Sequence, residues 1–193
     1  AIYERLWSSK FASPFDPIDS LQLSPGEVAA AVEEAHAFGR YVCAHAYTPA
    51  AITRAAHAGD RTIEHGNLVD DASALLMAEK GMFLVANLVT YFAMRERAAE
   101  LGMNAEMLAK NEVVIEGALR SLEICRRAGV PVAFGSDLLG QLQEEQSREF
   151  TLRAQVVTIV LLATFIALTV ATAALVLYDT HAYREALTAD LAT

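Results

Sequence analysis

Four times along this chain the same phrase recurs: an amphipathic helical stretch, a glycine, a short apolar run, then a histidine, asparagine or aspartate. The glycines are Gly39, Gly59, Gly81 and Gly129, and the residues closing the runs are His45, His65, Asn87 and Asp137. A helix-period segment followed by a short strand, repeated, is the pattern of successive βα units. Right-handed crossovers between such units leave two architectures, a doubly wound sheet or a closed barrel. No GxGxxG or GxxxxGK[ST] follows any of the runs, so nothing favours a nucleotide site. Metal-type residues at successive strand ends favour the barrel, whose active sites lie at the carboxyl ends of its strands. The expected fold is α/β, a partial (β/α)8 TIM-barrel segment of roughly four units.

The clearest unit runs from Tyr41 to Gly66, YVCAHAYTPAAITRAAHAGDRTIEHG. Val42 and Ala44 alternate with Cys43 in an apolar run that stops at His45. Thr48-Pro49 supplies an N-cap and a proline at the first helical position, and Gly59 punctuates the helix end. Thr62 and Ile63 begin the next strand, which ends at Glu64 and His65. Parallel strands joined by one helix put His45 and His65 on the same edge of neighbouring strands.

Other segments follow the same grammar. Ser24-Pro25-Gly26-Glu27 is a capping box for a helix ending at Gly39, and Asp70-Asp71 caps a helix to Lys80. Met82–Leu88 is a nearly continuous apolar run, as expected of a buried parallel strand. A long helix is predicted over residues 104–128, and Val130–Phe134 is a strand leading into Gly135-Ser136-Asp137. Residues 1–23 carry little periodicity, and Pro14, Asp16 and Pro17 predict an irregular loop.

A net charge of −9 leaves no basic stripe to neutralise phosphates, which argues against nucleic acid as a partner. Cys43 and Cys125 lack CxxC spacing and sit in apolar surroundings, so they read as buried free thiols. The 54% apolar content is concentrated near the end. Residues 156–178, VVTIVLLATFIALTVATAALVLY, contain no charge, glycine or proline and are long enough to cross a hydrocarbon core of roughly 30 Å. They predict a single transmembrane helix between a 1–155 domain and a 179–193 polar tail. Arg148 and Arg153 precede the span and Asp179 follows it, which places the N-terminal domain in the cytoplasm. The first residue is alanine, and no secretory signal pattern follows it, so the chain reads as a fragment or a processed product.

Taken singly, His45 or His65 reads as a satisfied structural histidine. Together with Asp137 they offer two neutral imidazoles and one hard carboxylate, a donor mix that suits zinc or a similar divalent ion with one position left open. Such an ion would activate a water and polarise a carbonyl, while Asp137 took the water's proton and passed it to a leaving amine. Tyr47 is two residues past His45, and two readings of it stand: a donor to a developing oxyanion, or a partly buried tyrosine closing the barrel mouth. His36 and His57 fall inside helices and read as structural; His181 reads as a surface residue.

The stretches AHAYTPAAITRAAHAGDRTIEHGN, MAEKGMFLVANLVTY and AGVPVAFGSD resemble the metal-dependent amidohydrolases, specifically the prolidase-like and imidazolonepropionase-related branch, over about residues 12–155. The resemblance implies a (β/α)8 barrel hydrolysing amide, peptide or cyclic amide bonds of a small-molecule or dipeptide substrate. It also implies that His45 and His65 are ligands of one metal and that Asp137 is both ligand and proton shuttle. The chain departs from the family in three respects. No HxH occurs before residue 45; Glu4 falls near the position of the family's bridging lysine; and Asn87 stands where the family has threonine. Past Val156 the tail resembles instead the first membrane helix of bacterial sensor kinases. Two readings follow: a membrane-anchored hydrolase segment slowed by missing barrel units and able to self-associate through open barrel edges, or a non-catalytic membrane-anchored fusion leading into a sensor protein.

Overall fold

The computed structural model describes residues 2–4 and 17–190. The chain divides into two units, Ala1–Glu149 and Phe150–Thr193. The first holds five strands: β1 (Ile2–Glu4), β2 (Val42–Ala46), β3 (Thr62–His65), β4 (Phe83–Ala86) and β5 (Val132–Phe134). Between them lie α1 (Pro25–Ala37), α2 (Pro49–Ala58), α3 (Asp71–Glu79), α4 (Val89–Glu96) and α5 (Ala105–Ala128). A 3₁₀ turn at Gly140–Glu145 precedes α6 (Arg148–Asp190), which begins in the first unit and makes up most of the second.

The strands lie in chain order, β1-β2-β3-β4-β5, and every neighbouring pair is parallel. A doubly wound sheet must reverse its strand order at some point; this sheet never does, which is how a barrel wall is wound. The helices pack in sequence, α1 on α2, α2 on α3 and α3 on α5, so they layer one face of the sheet.

That one-sided cover is written into the burial. Ala44, Ile63 and Leu84 align across the sheet and are fully buried with Ile52, Ala55 and Met77 from the helices. Burying side chains of the Ile and Leu size contributes about 1.5–3 kcal/mol each. The alternate residues, His45, Glu64 and Val85, align on the opposite face and are only half-buried. The run at 82–88 therefore does not behave as a strand buried on both sides. It shortens to Phe83–Ala86 and alternates, because helices cover only one of its faces.

Local chemistry sets the helix boundaries. The Ser24 hydroxyl accepts the Glu27 N–H at 3.3 Å while the Glu27 carboxylate accepts the Ser24 N–H at 2.7 Å, the reciprocal box expected from the sequence. Thr48 caps α2 through the Ala51 N–H, and Gly59 ends it in the left-handed conformation (φ 100°). Gly117 on α5 faces the Asn67 carbonyl so closely that no Cβ would fit, which lets the helix settle on the loop after β3.

Three elements differ from expectation. β1 pairs with β2, placing Glu4 beside Ala44, although residues 1–23 carry no periodic signal; a three-residue strand is too short to show one. Of the expected loop, Pro17–Ser20 forms a turn, and Pro14 and Asp16 lie outside the described residues. α4 is an additional helix over Val89–Glu96, and α6 runs without a break through the expected span and into the expected polar tail.

The Asp70 carboxylate accepts the Ser73 hydroxyl at 2.6 Å and the Ser73 N–H at 2.8 Å. Both bonds, the hydroxyl first, hold its pKa below the usual carboxylate value. A lowered folded-state pKa contributes stability that is fully present above about pH 4 and fades as the pH falls through the lowered value. Asp70→Ala should therefore cost about 1 kcal/mol near neutrality. Urea titrations at pH 7 and pH 3 should show that cost shrinking in acid; an equal cost at both would remove the charged cap.

Candidate active site

The carboxyl ends of β2 and β3 bring the two expected histidines into contact. His45 Nδ1 lies 2.7 Å from His65 Nε2, with ring centroids 4.9 Å apart. The parallel register places Ala46 opposite His65, and the left-handed backbone of His65 (φ 76°) turns its ring toward the neighbouring strand. Gly66 follows in the same region (φ 59°), and a Cβ there would strike Leu84. Apart from glycines, His65 and Asp137 (φ 47°) are the two described residues with positive φ. Such backbone costs of order 1–3 kcal/mol per residue and persists where surrounding structure imposes it.

His65 is held from every side. The Tyr47 ring stacks on it at 4.7 Å and 8°, the Tyr91 hydroxyl lies 2.8 Å from its Nδ1, and Asn87 Nδ2 lies 3.3 Å from the same nitrogen. Tyr91 Oη donates to Tyr47 Oη at 3.0 Å. Burial, reinforced by His45, pushes the His65 pKa down to about 3, so the imidazole is neutral across the ordinary pH range. Burial raises the Tyr47 and Tyr91 hydroxyls as well, with Asp137 adding to both, so each keeps its proton.

Asp137 lies beyond β5 on an exposed bend and raises the pKa of Glu64 on β3, where burial is the larger cause. It acts on the site through its charge. Among the described residues, no group of three or more histidine, cysteine or acidic side chains is gathered closely enough to hold a metal. The donor chemistry thus fits half of a zinc-type ligand set, two imidazole nitrogens 2.7 Å apart, and among the described residues the third ligand is not assembled beside them. Cys43 and Cys125 are free and buried, as expected, and His36, His57 and His181 are exposed.

Sequence reasoning missed the residues that support the pair. Tyr91 is fully buried one turn into α4, and Asn111 Nδ2 donates to its carbonyl at 2.9 Å. α4 begins at Leu88 with no side-chain cap of its own. Instead Glu149, fully buried at the start of α6, accepts the Leu88 N–H at 3.0 Å and the Val89 N–H at 2.7 Å with one carboxylate oxygen. The positive end of the helix dipole favours that buried charge. Arg148 pairs through two nitrogens with Glu96 in the last turn of α4, so adjacent residues hold the helix near both ends. Proximity to Asn87 could have marked Tyr91. Nothing around Glu149 in the sequence points to a helix start about 60 residues earlier.

A parallel α/β sheet wound in strand order, with a buried and a half-buried histidine in contact at its carboxyl edge, defines an amidohydrolase-type fold. The model of the amidohydrolase family matches residues 9–189, and the chain belongs to that family. Ochratoxinase of Aspergillus niger is 34% identical over 116 residues, covering 60% of this chain and 24% of that protein. A solved prolidase complexed with N-methylphosphonate-L-proline is 52% identical with a TM-score of 0.75, covering 79% of this chain and 37% of that one. A solved amidohydrolase is 48% identical with a TM-score of 0.76, covering 80% and 37%. The chain thus spans between 24% and 37% of the length of these relatives. The match reaches residue 189, past the expected limit at 155, so α6 falls within the family alignment and the sensor-fusion reading has no support.

Glu149→Ala would leave two buried N–H groups without an acceptor and should cost about 3 kcal/mol in urea unfolding. Glu149→Gln retains an acceptor oxygen and should cost about 1 kcal/mol. Equal losses in the two variants would show that the carboxylate's charge, not its geometry, holds α4.

Proposed function

We propose that this chain is a segment of a metal-dependent (β/α)8 amidohydrolase that cleaves the amide or peptide bond of a small molecule, an Xaa-Pro dipeptide being the first candidate. The reading rests on the 2.7 Å approach of His45 and His65 at adjacent strand ends. Family membership supports C–N hydrolysis, and the proline-derived ligand of the 52% identical prolidase supports the substrate class.

His45 Nδ1 and His65 Nε2 would hold one divalent ion, zinc by donor type, with Asp137 completing the set. When bound, the ion supplies Lewis acidity toward the scissile carbonyl and the attacking water. The chain's own residues do the rest. Asp137 accepts a proton from the water and returns it to the leaving amine. Tyr47 accepts from Tyr91, stays protonated because of its burial, and donates to the carbonyl oxygen as negative charge develops there. The His65 ring, stacked under Tyr47, fixes where that hydroxyl sits.

The 1–155 barrel segment is proposed to be tethered by residues 156–178 with residues 1–153 on the cytoplasmic side. α6 contains Leu161–His181, a stretch long and apolar enough to cross a membrane, with mean hydropathy 2.2 and none of it buried. The basic pair Arg148 and Arg153 before it supports the orientation.

Purified protein should retain stoichiometric zinc, and His45→Ala or His65→Ala should abolish retention. Zinc-loaded protein should hydrolyse an Xaa-Pro dipeptide at well below the ~1 per second of ordinary enzymes, since these residues include no HxH pair, and Asp137→Asn should remove even that. Parental zinc content in both histidine variants would end the reading.

A reporter fused after Thr193 should be active only outside the cytoplasm. Activity inside it, or extraction without detergent, would end the tethering proposal.

A further inference from the structure

A neutral imidazole carries one N–H, and which nitrogen bears it is decided by what the other nitrogen meets. The two polar neighbours of His65 Nδ1 call for opposite answers. Asn87 Nδ2, at 3.3 Å, is a donor only and can bond that nitrogen only if it is bare. The Tyr91 hydroxyl, at 2.8 Å, directs its single proton to Tyr47 Oη at 3.0 Å, so toward His65 it presents an oxygen that accepts. The shorter contact favours a proton on Nδ1, which would leave the Nε2 lone pair toward His45 Nδ1 at 2.7 Å.

We infer that Tyr91 is a positioning residue: by accepting the Nδ1–H of His65 it fixes the tautomer and plane of that ring and keeps the Nε2 lone pair aimed at the point shared with His45. The inference rests on the proposed ligand role of the pair, which is why the tautomer matters, but the tautomer itself is a property of the metal-free protein.

Tyr91 is placed rigidly enough for this task. It is 1% exposed and packs with Tyr47, Val114 and Ile115. Its carbonyl is held by Asn111 from α5, and the helix that carries it is fixed at its first two N–H groups by Glu149. A hydroxyl supported in this way can impose a tautomer on a neighbouring ring. Outer partners of histidine ligands act in this manner, and losing one typically costs 10–100-fold in metal affinity.

Without the Tyr91 oxygen, the Asn87 amide remains at Nδ1 and should draw the proton to Nε2, where it blocks the lone pair. The experiment is a long-range ¹H–¹⁵N correlation of the histidine rings in zinc-free full chain, with zinc affinity measured by chelator competition. The parent and Asn87→Ala should both show His65 with its proton on Nδ1. Tyr91→Phe should show it on Nε2 and bind zinc about 10–100-fold more weakly. Asn87→Ala in the Tyr91→Phe background should recover part of that loss.

A parent spectrum with the proton on Nε2, or a Tyr91→Phe variant with unchanged tautomer and affinity, overturns the inference. If Tyr91→Phe does not fold, the parent and Asn87→Ala spectra still decide, since Asn87 control would move the proton between those two. A parent that binds no zinc defeats the metal reading instead, and the ring spectra still settle the role of Tyr91.

Discussion

The register between β2 and β3 is the constraint on which the rest of the site depends. Pairing Ala46 with His65 sets His45 one residue back on the neighbouring strand, and the left-handed turn at His65 swings its ring sideways to meet it. A one-residue slip would send every β3 side chain to the other face. Ile63 would leave the helix-facing core and the histidine pair would be lost together. The same apolar contacts that stabilise the sheet therefore specify the site, and no separate device is needed to align the strands.

The second layer of support comes from far along the chain. α4 brings Tyr91 to the histidine pair, yet its first turn lacks a local cap, an omission that would leave buried N–H groups unsatisfied. Glu149 meets that need from the start of α6, and Arg148 beside it holds the far end of α4. A fully buried carboxylate thus becomes part of the path leading to His65, through two backbone bonds and one helical turn.

The βα rhythm, the capping box at Ser24 and the meeting of His45 with His65 were legible because each rests on local signals: glycine punctuation, proline at a helix start, a polar residue closing an apolar run. After the Asp70 cap and the Glu149 variants, the contrast is clear. Asp70 caps the helix beginning at the next residue and can be read from four consecutive letters, whereas Glu149 caps a helix about 60 residues away and cannot. β1 escaped because three residues carry no period. The half-exposed face of β4 was obscured by composition, since an apolar run looks the same whether one face is covered or two. Asp137 was found as a residue type at a strand end, but its exposed position on a left-handed bend was not in the pattern.

The apolar stretch of α6 raises a different question, what solvent it is built for. Leu161, Phe165, Leu168, Leu175 and Leu177 are each exposed by 61–70%. In water each such side chain would forgo most of the roughly 1.5–3 kcal/mol that burial contributes. A helix meant to lie on a protein core keeps a polar stripe for its outer face, and this stretch has none. Its hydroxyls follow the same logic. Thr158, Thr169 and Thr172 each donate to the carbonyl four residues earlier, at 2.8–2.9 Å, so they need no water. In water that back-bonding slightly weakens a helix; in hydrocarbon it removes the cost of an unpaired hydroxyl. Side chains apolar on all sides, with threonines closed onto their own backbone, are the features of this helix that the tethering proposal draws on.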